Sequence, residues 1–551
     1  MFAPREPYQY KPLEAGHTRI VKLQPSPVHA STLRFKLEQR SIHNPPSYIA
    51  ISYAWAGQTP TQPVICNGKH LLITKNAEDA LQRLRSRHKT VYVWIDGICI
   101  DQSSMLDKST QVKEMEHIYR NAVHVAVCLG HPVEKADDMG TKAWRYALKH
   151  YRDDKVEKSQ TRIGGTLTLV ENGYWSRIWT VQEMALAKEC LVYMGWEKPL
   201  HEYNLQQLPD DYVTTLSAHI SKPDKHRVYT WEAMSTLLRH TASDPHDYIY
   251  GLRAIYSGFF GSITVDYDRD AFDVFAEAAC NLFSAGGWRL LYLACHAEKD
   301  PSCPSWSPDW TSSQKRDGML WHQEYRLPLK AVDQRSDAIE WMPDAPLKRT
   351  GKMISIPGWE LAEVAAATLI CPSTPDCEHC KDTGWNIHWC DYHIYKTTTE
   401  WIKACTEACP NRSSEDYRDQ LAELIRSTYR IRKMDVEHEA LLVESLPTEL
   451  SPGDTWVIPS NPGVPRAGMG FGFWLKERMF LVTTEGAMGY AMLASGIASG
   501  DLIVRFDMVP GTFALHPATA SKEGMYSFAG WVDSAKKLKG DHTKMRTFDI
   551  T

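Results

Sequence analysis

Four short runs rich in β-branched, aromatic and small apolar residues constrain this chain most: YIAISYAW (48–55), VYVWIDGICI (91–100), HVAVCLG (124–130) and CLVYMG (190–195). Their interiors are apolar at nearly every position instead of at every second one, as in strands covered on both faces. Helix-like stretches separate them. TKNAEDALQRLRSRH has Thr74 and Asn76 as candidate caps and sets Ala77, Ala80, Leu81 and Leu84 on one face. DKSTQVKEMEHIYRNA does the same with Val112, Met115, Tyr119 and Ala122. Strand and helix in alternation predict an α/β fold whose mostly parallel sheet spans about residues 45–195, with strands near 49–54, 91–96, 123–128 and 190–194. In such a sheet ligands collect beyond the carboxyl ends of the strands.

Beyond about residue 200 the strand signal fades. YTWEAMSTLLRHT and DAFDVFAEAACNLFSAG carry helical spacing, whereas TWVIP, RMFLVTT, GDLIVRF and YSFAGWV alternate with Gly and Pro turns after Asp454. The expected organisation is an α/β domain over 1–200, a helical region packed on it over 201–340, a Cys/His-rich insertion with helices over 341–450, and a small β-rich unit over 451–551. Lys+Arg 62 against Asp+Glu 67 gives a net charge of −5, so no global positive field exists to hold a nucleic-acid backbone. MFAPREPYQYKPLEAG lacks the apolar core of a secretory signal, and no stretch reaches the roughly 18 uninterrupted apolar residues of a membrane span. A cytoplasmic protein with no nucleic-acid or membrane partner is expected. The 13 cysteines, densest between Cys371 and Cys409, then read as free thiols or metal ligands.

YIAISYAW, Ile73-Thr74-Lys75-Asn76, WIDGICIDQ (94–102), QVKEMEHIY (111–119) and WSRIWTVQEMALA (175–187) follow the order and spacing of the fungal heterokaryon incompatibility (HET) domain, which the chain resembles. ASDPHDYIYGL (242–252), VDY (265–267), WSPDW (306–310), RMFLVTTEGAMG (478–489) and SGDLIV (499–504) look like the trailing segments of full-length members, leaving roughly 311–450 uncovered. Departures concentrate in the first loop and its rim. Trp55-Ala56-Gly57 stands for the usual Trp-Gly, Asp101 for a frequent Asn, and Asp107-Lys108 for Glu-Arg. The resemblance implies similarity to TIR domains, with a flavodoxin-like sheet, several of which cleave NAD using one helical glutamate.

On that resemblance Glu183 is the candidate catalytic carboxylate. Trp179, one helical turn earlier, would form a wall on the same face. Breaking the N-glycosidic bond of NAD needs no leaving-group proton, because nicotinamide departs as a neutral base; it needs a carboxylate to stabilise the ribosyl cation. The plainer alternative has Glu183 capping or salt-bridging and Trp179 filling core. Asp96 ends the VYVWI strand and is a second candidate catalytic carboxylate, or an acceptor for turn N–H groups. Ser52, Tyr53 and Trp55 end the first strand and are candidates to line the mouth, though Trp55 suits packing better. Asp101 and Gln102 are candidates for ribose or phosphate contacts, with loop ordering favoured. Cys99, between Ile98 and Ile100, reads as buried and inert.

Cys377-Glu-His-Cys380 and Cys390-Asp-Tyr-His393 form a C-x2-C and a C-x2-H, spacings that aim four ligands at a structural zinc. His379, His388, Cys371, Cys405 and Cys409 are alternative ligands, and a metal-free loop is the competing reading. Gly468-Met-Gly470-Phe-Gly472 lacks the ending of a phosphate loop and reads as a flexible connection. No Gly-x-Ser-x-Gly or His-Glu-x-x-His occurs, which disfavours serine hydrolases and zinc proteases. Three functions stay open: NAD cleavage in non-self recognition and cell death, acid–base chemistry on a small molecule in fungal secondary metabolism, and a non-enzymatic self-associating signalling module. The expected ligand is a small molecule or nucleotide, with NAD as the leading substrate; whether copies of the chain associate is left open.

Overall fold

The computed structural model describes residues 6–28, 30–129, 173–193, 200–201, 230–287, 290–294, 299–312, 348–368, 391–432, 478–492, 496–507, 509, 511–518, 524–534, 538 and 544–551. It forms two compact units, Met1–Val274 and Phe275–Thr551.

In the first unit the described strands are β1 (His17–Leu23), β2 (Arg34–Ser41), β3 (Ile49–Tyr53), β4 (Gln62–Cys66), β5 (Lys69–Ile73), β6 (Val91–Trp94), β7 (Val125–Cys128), β8 (Cys190–Tyr193) and β9 (Leu200–His201). They make one sheet in the order β5-β4-β2-β1-β6-β3-β7-β8-β9. The four expected strands are β6, β3, β7 and β8, adjacent and mutually parallel. Counted along the chain they read 2-1-3-4. Burial on both faces is nearly complete: Ala50, Val93, Trp94, Val125, Ala126, Val127, Cys190 and Val192 are inaccessible to solvent. Their intervening helices include α1 (Lys75–Leu84), α2 (Asp96–Cys99), α3 (Met105–Asn121) and α4 (Ile178–Ala185). Thr74 caps α1 by accepting from Ala77 N, and Ser104 caps α3 by accepting from Asp107 N.

The sheet as a whole is mixed, which corrects the expected mostly parallel one. β1 pairs antiparallel with both β2 and β6, and β4 with β5, while β9 returns antiparallel to β8. The β4–β5 hairpin turns at Asn67-Gly68, both with positive φ (49° and 84°), the pair of left-handed conformations a tight hairpin needs. β1 is buried along most of its length, whereas the strands outside it are partly exposed: Arg34–Ser41 alternates buried and exposed residues from Arg34 to Leu37, showing one apolar face.

The second unit is built on β10 (Lys348–Thr350), β11 (Met353–Ala367), β12 (Arg478–Thr483), β13 (Met488–Met492), β14 (Leu502–Phe506), β15 (Thr512–Pro517), β16 (Met525–Ser534) and β17 (Arg546–Ile550). The antiparallel pairs β11–β12–β13–β16–β15–β14 return to β11 and close a ring. Leu361, Val364, Leu481, Ala491, Ile503 and Val532 fill it. RMFLVTT, GDLIVRF and YSFAGWV are strands of this sheet as expected, and TWVIP lies outside the described residues. β11 lies upstream of the range expected for the β unit. It serves several partners by shifting register at Glu360/Ala362 and Val364/Ala366.

Candidate active site

The parallel strands wind one way from β3 to β6 and the other way to β7, so the direction reverses beside β3. An open α/β sheet leaves its ligand crevice beyond the carboxyl ends of the strands at such a reversal. Ser52 and Tyr53 close β3, Asp96 follows β6, and α4 carries Glu183 to the same strand end.

Ser52 is 1% and Glu183 3% exposed. The Ser52 hydroxyl donates to Glu183 Oε2, and the Tyr174 hydroxyl lies 2.5 Å from Ser52 Oγ. A serine has one proton, so with that proton on Glu183 the tyrosine donates to the serine. The chain therefore runs Tyr174 to Ser52 to Glu183. Burial pushes the Glu183 carboxyl up to about 7; Arg177's charge opposes this, Asp96 adds to it, and the Ser52 hydrogen bond and nearby Tyr119 hydroxyl oppose it further. Tyr119 makes no well-formed hydrogen bond among the described residues; its ring meets Trp94 edge-on, 5.5 Å away.

Asp96 opens α2. Its Oδ1 accepts from Gly97 N at 2.6 Å and its Oδ2 from Trp55 Nε1 at 3.2 Å. Dense surroundings raise its carboxyl above the ordinary range, against the pull of Arg177 and of these donors. Gly97 is required here: a Cβ would lie 2.5 Å from the Tyr53 hydroxyl and 3.1 Å from Trp55. Asp101 and Gln102 order the loop. Asp101 Oδ1 accepts from Ser103 N and Oγ, while Gln102 Nε2 donates to the Asp96 carbonyl at 3.1 Å. The buried Arg19 braces the same loop through Asp107 at 2.8 Å and the Cys99 carbonyl at 3.0 Å. Cys99 is buried, and burial pushes its thiol up to about 12, as suits an inert residue.

Three members of the site carry no functional role in the sequence reading: Tyr174, Arg177 and Tyr119, the last placed there only on the apolar face of its helix. Arg177 precedes α4 and donates through Nη1 to the Tyr53 carbonyl. Tyr174 precedes the last motif and Arg177 lies within it, six positions before Glu183, but neither contact is local. Trp179 is half-buried; burial raises the Asp247 carboxyl, and the Lys108 charge, the Tyr267 hydroxyl and the Trp179 indole oppose that rise. Asp247 also accepts from the Tyr267 hydroxyl at 2.6 Å. Beside it Lys108 pairs with Asp244 at 2.9 Å, and His246 places Nδ1 2.8 Å from Asp244 Oδ1 and Nε2 2.8 Å from the Arg269 carbonyl. The trailing ASDPHDYIYGL and VDY segments thus pack onto the base of α3 and α4.

Cys377, Cys380 and Cys390 lie outside the described residues, as does the Gly468–Gly472 loop. His393 falls in the helix Asp391–Ala408, without a described side chain. Among the described residues no group of three or more His, Cys, Asp or Glu could hold a metal. No described helix is long and apolar enough to cross a membrane.

The family model described as heterokaryon incompatibility protein (HET) matches residues 48–183, a stretch that starts just before β3 and ends on Glu183. A curated relative, heterokaryon incompatibility protein 6, OR allele, of Neurospora crassa, is 25% identical over 227 residues. That alignment covers 33% of this chain and 33% of the relative, so the chain spans about a third of the length of the relative it matches. No solved structure matches the chain.

Proposed function

Because this chain carries a heterokaryon incompatibility domain across residues 48–183, we propose that its β3 crevice binds a nucleotide and that Glu183 promotes cleavage of the N-glycosidic bond of NAD, in a heterokaryon-incompatibility response of non-self recognition and cell death. The 2-1-3-4 order of the parallel strands supports grouping the domain with TIR-like, flavodoxin-type folds. The observation that carries the chemical reading is the Ser52-bound, buried Glu183 carboxyl whose charge is balanced near neutrality.

In the free protein burial holds Glu183 about half protonated near pH 7. A cationic nicotinamide ring beside it favours the carboxylate, so negative charge develops where the substrate brings positive charge. Ser52 fixes Oε2 and leaves Oε1 without a well-formed hydrogen bond among the described residues, available to a ribose hydroxyl. The C1′–N bond then breaks with its electron pair leaving on nicotinamide. Water adds to the ribosyl carbon and gives up its proton. Asp96, held by Gly97 and Trp55, is the second carboxylate near the developing cation.

The near-complete burial of Ser52 and Glu183 favours a second reading, in which these motifs are core of a non-enzymatic module. Purified protein incubated with NAD and analysed by mass spectrometry separates the two. Nicotinamide and ADP-ribose are expected from the parent, and about 10²–10³-fold slower release from Glu183→Gln. No release by concentrated parent protein would leave the scaffold reading and the acid–base metabolite reading.

A further inference from the structure

We propose that Arg177 is the anion-binding residue of this crevice and that the ligand it takes there carries a phosphoryl group. The position comes first: Arg177 reaches from the start of α4 to the carboxyl end of β3, donating through Nη1 to the Tyr53 carbonyl. The remaining N–H groups of its guanidinium have no hydrogen-bond partner, and no carboxylate forms an ion pair with it, among the described residues. The residue is only half-buried, so these donors are reachable.

A guanidinium close enough to act on Asp96 and Glu183 would ordinarily close onto one of them as a bidentate pair. Here other donors hold both carboxyls in place. Gly97 N and Trp55 Nε1 occupy the two oxygens of Asp96, and Ser52 anchors Glu183. Burial raises both carboxyls, and Arg177 opposes that rise from a distance while its planar fork stays open. Such a fork matches two oxygens of a phosphoryl or carboxylate group, and Arg suits this geometry better than Lys. The choice of phosphoryl rests on the nucleotide reading above. Arg177 and Glu183 reach neighbouring residues at the carboxyl end of β3, Tyr53 and Ser52.

The test is calorimetric binding of ADP, adenosine and inorganic pyrophosphate to the full chain, with no turnover required. ADP is expected to bind about ten- to a hundredfold tighter than adenosine, the range of one charge-assisted bidentate contact, and pyrophosphate is expected to displace it. In Arg177→Gln, ADP and adenosine should bind within about twofold of each other. Arg177→Lys keeps a donor for the Tyr53 carbonyl and tests the fork if the Gln variant does not fold: ADP should weaken several-fold, adenosine not at all. A parent that binds ADP no better than adenosine, or binds neither at millimolar concentration, overturns the proposal. So does an unchanged ADP preference in the folded variants. Arg177-dependent ADP binding without NAD cleavage would refute the glycohydrolase reading alone, whereas NAD cleavage without ADP preference would refute only this one.

Discussion

Replacing Glu183 with Gln should stabilise the first unit at alkaline pH and lose that advantage in acid. A carboxyl raised to about 7 in the folded chain, against an ordinary 4.5, binds its proton more tightly folded than unfolded. Its contribution to stability is therefore fully present below about 4.5 and lost as pH rises through about 7. At about 1.4 kcal/mol per pH unit the gap corresponds to about 3 kcal/mol of penalty carried by the ionised glutamate above neutrality. The glutamine side chain would keep a carbonyl oxygen for the Ser52 hydroxyl but lose the charge-assisted part of that bond, on the order of 1 kcal/mol. The net expectation is a gain of about 2 kcal/mol in alkali, shrinking to zero or below under acid conditions. Denaturant midpoints of parent and variant, followed at a series of pH values by a probe in the first unit, give the difference directly. A difference that does not change across neutrality would mean that Glu183 is not held up by burial, and the poised-carboxyl argument would fail.

Three further outcomes are expected. His246 faces two acceptors, the Asp244 carboxylate and the Arg269 carbonyl, so only the imidazolium satisfies both, and its pKa is raised chiefly by Asp244 against the cost of burial. Its stabilising contribution is present below its ordinary 6.5 and lost as pH rises through the raised value. His246→Gln should accordingly cost about 1 kcal/mol in mild acid and progressively less in alkali, and a pH-independent loss in thermal midpoint would refute this. Asp107→Asn removes the partner of Arg19, of which only 5% of the side chain is exposed, and should destabilise by about 3 kcal/mol in denaturant titration; a loss under about 1 kcal/mol would show the pair to be unimportant. Cys377, Cys380, Cys390 and His393 are proposed to hold one structural zinc, so elemental analysis should find about one per chain, and a zinc-free folded protein would refute the assignment.

The parallel core was legible because strands buried on both faces leave continuous apolar runs, and YIAISYAW and VYVWI are such runs. The antiparallel flanks were less legible. Arg34–Ser41 buries one face only, so its apolar signal is half as dense, although the Asn67-Gly68 turn between β4 and β5 is a hairpin signal present in the sequence. β11 hid for another reason: its register shifts break the two-residue alternation, and Pro357 and Gly358 sit inside it. At the site, Ser52, Asp96 and Glu183 belong to motifs and could be named from sequence. Arg177 lay within the same motif, but its bond to a strand 124 positions away depends on how α4 docks beside β3. Tyr119 likewise faces Glu183 only because α3 packs its buried side toward the sheet.

The central claim is that Glu183 drives breakage of the bond between ribose and nicotinamide. The most direct measurement is to incubate the purified chain with NAD in heavy-oxygen water and weigh the products. Hydrolysis at the ribosyl carbon predicts unlabelled nicotinamide and ADP-ribose carrying one solvent oxygen, both reduced about 10²–10³-fold in Glu183→Gln. Absence of nicotinamide from the parent, or product formation at the same rate in the variant, would contradict it.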